Sequence, residues 1–156
     1  MGHFDKEMTR DKWDEIVKHG PYSQELNWFA TDNSGQLAVF TSVMNAPIPD
    51  NVKNSYERYL ELKSKIDSLS KTTQAIITTK EKGNLKDWIE YADKGLFAFD
   101  FQDVHRTKKK NQFDLIARPK TPLTLDKLDI SDSLTDTIVK IDCDFHTGDL
   151  NTEKIR

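Results

Sequence analysis

Between Leu26 and Val43 apolar residues alternate with polar or opposite-face ones, pause at Asp32-Asn33-Ser34-Gly35, and resume. A period of two is that of a β-strand, whose successive side chains point to opposite faces. Asp and Asn bond their own backbone and Gly tolerates positive φ, so the pause reads as a tight turn and the stretch as a β-hairpin. Pro47 and Pro49 cannot donate to a ladder and end it. Elsewhere the spacing is three and four, that of a helix with one buried face. Thr9 can cap a helix over about Arg10–His19, with Trp13, Ile16 and Val17 on one side and Gly20-Pro21 as its stop. Val52, Tyr56, Tyr59, Leu62, Ile66 and Leu69 predict one long helix from Asp50 or Asn51 to about Leu69. Asn84 opens a third, carrying Leu85, Trp88, Ile89 and Ala92, and Gly95 stands where its C-terminal cap needs positive φ.

Four further strands follow from β-branched or aromatic runs: Ala75–Thr79, Leu96–Phe101, Phe113–Arg118 and a last one around Ile138, Val139 and Ile141. In the second of these, Phe97, Phe99 and Phe101 share one face while Leu96 and Ala98 share the other. Two apolar faces place it inside a sheet, with Asp100 as the exception. The order α-β-β-α-β-α-β-β-β implies an α+β fold, a mainly antiparallel sheet of about six strands with about three helices packed on it. We expect a single globular domain over residues 1–150 and a flexible tail over 151–156.

Composition narrows the function classes. The 156 residues are 36% hydrophobic and 31% charged, with 8 Phe, 4 Tyr and 3 Trp, which describes a folded domain with a heavily charged surface. The net charge of −3 gives no pull toward nucleic acid or anionic membrane and mildly favours a basic partner. Cys143 is alone, so no intrachain disulfide forms. No apolar run approaches the ~18 residues of a membrane span, and MGHFDKEMTRDKW lacks a signal-peptide core, so a cytoplasmic location is expected. No phosphate-binding glycine motif, HExxH, GxSxG or paired CxxC occurs, and no cofactor is expected.

Three places carry candidate chemistry. The loop after Phe101 gathers Asp103, His105, Arg106, Lys108 and Lys109 beside Asp100, a set suited to an acidic partner or a phosphate, and equally to a solvated loop of gatekeeper charges. Asp100 itself, between two phenylalanines, needs a cleft or a partner such as Arg118 or Arg106, because burying a bare carboxylate costs several kcal/mol, roughly the polar-burial penalty. Asp142, Asp144 and His146 would face one way on a strand, with Asp149 and Glu153 beyond; the spacing approaches a calcium loop but has Thr147 where glycine is needed. Solvated aspartates are the ordinary reading there, so we assign no metal. Cys143 lies between Ile141 and Phe145, the setting of an inert buried thiol.

Three segments carry a resemblance. They are Trp28-Phe29-Ala30-Thr31-Asp32 through Gly35 to Pro49, Trp88 with Gly95-Leu96-Phe97-Ala98-Phe99-Asp100-Phe101, and Ile116-Ala117-Arg118-Pro119 with Pro122-Leu123. Together they resemble a bacterial family of small single-domain proteins of no established activity, similar in layout to the immunity proteins found beside bacterial toxins. The resemblance implies a mixed α/β fold and transfers no catalytic residue. The expected function is a non-enzymatic protein-binding domain of immunity or inhibitor type, with a basic toxin as the kind of partner. The alternatives are a small-ligand-binding or hydrolytic domain using the cluster after residues 96–101, or a structural subunit associating through the long helix.

Overall fold

The computed structural model describes residues 8–80, 83–101 and 111–155. Its centre is one mixed sheet. The strands are β1 (Leu26–Thr31), β2 (Leu37–Ser42), β3 (Ala75–Ile77), β4 (Phe97–Phe101), β5 (Gln112–Pro119), β6 (Val139–Lys140) and β7 (Leu150–Asn151). They lie in the order β3-β5-β4-β2-β1-β6, with β7 beside β5. The helices are α1 (Arg10–His19), α2 (Asp50–Lys53), α3 (Tyr56–Asp67), α4 (Lys86–Asp93) and α5 (Asp132–Thr135). Among the described residues, no helix is long and apolar enough to cross a membrane.

The fold is α+β, as the element order predicts, and among the described residues the sheet is mixed, with four antiparallel strand pairs and two parallel ones. β1 and β2 form the predicted hairpin, with Trp28 opposite Phe40 and Ala30 opposite Ala38. β2 then pairs parallel with β4, and β1 parallel with β6. Parallel neighbours need a crossover, and α2, α3, β3 and α4 supply it between β2 and β4. Among the described residues, seven strands and five α-helices stand where about six and about three were expected. The extra elements are the two-residue strand β7 and the one-turn helix α5, both too short to leave a periodic pattern, and one more helix where the predicted long one divides.

β4 is central, as its two apolar faces require, and each face meets a separate core. Phe97, Phe99 and Phe101 join Trp28, Phe40, Phe113, Phe145, Trp13 and Ile16. Leu96 and Ala98 join Phe29, Val39, Leu62, Ile66, Trp88 and Tyr91. The first core is a stack of rings. Phe40 lies parallel to Trp28 (4.6 Å, 13°) and to Phe99 (4.6 Å, 4°), and Phe113 meets it edge-on at 5.1 Å. The Trp28 indole N–H donates to Ser42 Oγ (2.8 Å), which donates to the Pro47 carbonyl (2.8 Å), so the buried tryptophan leaves no open donor.

The predicted long helix is two helices. Ser55 is extended (φ −153°, ψ 120°), and its hydroxyl accepts the Arg58 N–H as the cap of α3. A serine hydroxyl competes for backbone groups and favours a cap over a helix interior. The apolar residues keep their spacing across the break, which hides it in the sequence. Val52, Tyr59, Leu62 and Ile66 are all buried within the chain, so the apolar face that a self-associating subunit would show is already covered. Gly95 has φ 104°, the cap conformation expected. A β-carbon there would meet Leu123 Cβ at 2.7 Å and Leu123 N at 3.0 Å, so glycine also permits close packing against the segment after β5.

The segment expected to be a flexible tail has structure through Ile155. Leu150 and Asn151 pair with Phe113 and Gln112, a 3₁₀ turn spans Thr152–Ile155, and Leu150, Thr152 and Ile155 are buried. The cause is apolar: Leu150 and Ile155 reach the aromatic core.

Candidate functional site

The β1–β2 turn is built on Asp32, a carboxylate only 3% exposed. Its Oδ1 accepts the backbone N–H groups of Ser34 (3.0 Å) and Gln36 (3.0 Å). Its Oδ2 accepts the Gln36 side-chain amide (2.8 Å) and the backbone N–H of Phe145 (3.0 Å). Four donors occupy both carboxylate oxygens, so the buried charge is fully hydrogen-bonded. The same turn is held from the C-terminal side by Asn33 N–H to the Cys143 carbonyl (3.0 Å) and Asn33 Nδ2 to Asp142 (2.9 Å). Because the Gln36 amide N–H₂ is directed at Asp32, its oxygen faces His146 Nε2 at 3.0 Å, so that ring nitrogen carries the proton.

The bonds of Asp142, Asp144 and His146, the metal candidates to which no metal is assigned, do not turn these side chains to one face. Residues 142–146 do not form a strand: β6 ends at Lys140, and Phe145–Thr147 is a 3₁₀ turn. Asp142 bonds Asn33, and Asp144 spends an oxygen on the His146 N–H at the turn's start (2.9 Å). His146 faces Gln36 and lies edge-on to Phe97. Asp149 bonds the Leu115 N–H (3.0 Å) on the free edge of β5, between β3 and β7. Among the described residues, no three His, Cys, Asp or Glu side chains come together to hold a metal ion.

Cys143 is half-buried against the aromatic core. Burial first, and the Asp32 charge second, raise its pKa to about 11. A raised value favours the neutral thiol in the fold, and the thiolate is the nucleophile. Alkylation of the native protein by iodoacetamide is therefore expected to be slow at neutral pH. It should accelerate about tenfold per pH unit until near 11, whereas the urea-unfolded chain should react as an ordinary thiol of pKa about 8.5. Equal native and unfolded rates at pH 8 would contradict this.

A second polar feature crosses the sheet. The register sets Asn27 opposite Thr41, Thr41 beside Asp100, and Asp100 opposite Asp114. All four lie on the face opposite Phe99, Phe101 and Phe113. The Thr41 hydroxyl donates to Asn27 Oδ1 (2.7 Å), Tyr59 donates to the Asn27 carbonyl (2.6 Å), and Gln112 donates to Asp114. Asp100 thus faces a second half-buried carboxylate, and Arg118, suggested as its partner, stands opposite Ile76 further along β5. Asp114 was the residue missing from the sequence reading. Its signal was present: Phe113-Asp114-Leu115 repeats the Phe99-Asp100-Phe101 pattern, a carboxylate between two core residues. Asp103, His105, Arg106, Lys108 and Lys109 lie outside the described residues.

The third feature is acidic. From Asp126 to Glu153 the chain carries eight carboxylates (Asp126, Asp129, Asp132, Asp136, Asp142, Asp144, Asp149 and Glu153), and every one is exposed. Two of the segments that carry them meet at the same turn. Leu125 N–H donates to the Gly35 carbonyl (2.9 Å), and Gln36 bridges to Thr124, while Asp142 and Asp144 flank the turn from the other side. Among the described residues, the ion pairs lie on α1, α2 and α3 and reach none of the eight.

No protein-family model matches the chain, and no curated protein or solved structure matches it.

Proposed function

We propose that the protein is a non-enzymatic binding domain of immunity or inhibitor type that presents an acidic surface to a basic protein partner. The observation that carries this reading is the excess of eight exposed carboxylates over Lys127 and Lys140 between Asp126 and Glu153, with Asp142 fixed to the 32–36 turn through Asn33. Complementary charge of this kind steers association and selects against acidic competitors. The partner class is a basic protein, with a toxin as the case the sequence resemblance implies.

The test is capture by the tagged protein from bacterial lysate at about 0.1 M and about 1 M salt, between which the Debye length falls from about 10 Å to about 3 Å. The wild-type chain should retain a stoichiometric basic protein at low salt only. The triple variant Asp126→Lys, Asp129→Lys, Asp136→Lys should bind it at least tenfold more weakly, about 1.4 kcal/mol, because like charges then face each other. All three side chains are exposed, so its melting temperature should stay near wild type. Binding unchanged by both salt and charge reversal would overturn the proposal.

A second reading, a small-ligand or hydrolytic domain, is favoured by the facing of Asp100 and Asp114. Like carboxylates directly opposite repel, and a pair pushed apart in proton affinity can divide the roles of acid and base. Carbon NMR titration of the two carboxyl groups distinguishes the readings. Two coupled steps belonging to the pair would support the second reading, and independent, ordinary titrations would remove it.

A further inference from the structure

We draw no further inference here: the strongest candidate, the polar row Asn27–Thr41–Asp100–Asp114 across β1, β2, β4 and β5, carries nothing because facing carboxylates are not by themselves a site and no independent feature among the described residues points to a ligand there.

Discussion

Replacing Asp32 by alanine should lower the unfolding free energy by about 3–5 kcal/mol, from the loss of charge-assisted hydrogen bonds worth about 1.5–3 kcal/mol each, part of which solvent restores. The substitution leaves three backbone N–H groups, those of Ser34, Gln36 and Phe145, without their acceptor. An unsatisfied buried donor costs about 1–3 kcal/mol, and solvent can reach the turn residues more readily than Phe145, which keeps the sum below three full penalties. Asp32→Asn separates charge from geometry. The asparagine can keep its oxygen toward Ser34 and Gln36, but its N–H₂ then confronts two donors, the Gln36 amide and the Phe145 N–H. We expect about half the alanine loss, with hydrogen exchange accelerated in residues 141–147 before the rest of the sheet. Urea denaturation with unchanged slope would measure both effects. A loss under ~1 kcal/mol for Asp32→Ala, the size of an ordinary surface change, would show that the carboxylate does not organise this end of the sheet.

Phe40→Ala should be comparably damaging, at about 3–5 kcal/mol for a buried phenylalanine reduced to alanine. Phe40 is fully buried and touches four other rings: Trp28, Phe99, Phe113 and Phe145. The loss combines the transfer free energy of the ring, the void left behind, and aromatic pair terms of about 0.5–1.5 kcal/mol each. Phe40→Leu fills most of the void without the ring geometry and should cost under about half as much, in line with better-conserved core volume. The near-ultraviolet circular dichroism of Trp28 should weaken in both variants, since its parallel neighbour is gone. An alanine variant as stable as wild type would mean that neither the buried area nor the stacking of Phe40 contributes to stability.

What the sequence made legible was local. The hairpin was readable because four consecutive residues carry the turn chemistry and the flanks alternate without interruption. β4 was readable because six residues show two apolar faces at once. Features decided by distant partners were not. Asp32 reads as an ordinary turn aspartate, and its bond to Phe145 spans 113 residues. Asp114 reads as the polar side of an amphipathic strand, and only the β4–β5 register brings it to Asp100. The sequence Asp142-Cys143-Asp144-Phe145-His146 alternates as a strand would. Self-bonding by Asp144 and the positive φ of Gly148 (95°) turned it into a short 3₁₀ turn. The break at Ser55 was masked by apolar residues that hold helical spacing on both sides. At Asp32, Ser55 and Asp144 the cause is a hydrogen bond that periodicity does not encode, and at Asp114 it is the strand register.

The burial of Phe145 against Phe40, Phe97 and Phe99 also sets an order on biosynthesis. A ribosome adds about 5–20 residues per second, so roughly 6–20 s separate the emergence of the 32–36 turn from that of the residue that closes its ring stack. Through that interval Trp13, Ile16 and Tyr59 can cover part of the aromatic face, but the side of the stack that Phe145 closes stays open. The ring stack is therefore completed only late in synthesis, once the residues around Phe145 have been translated.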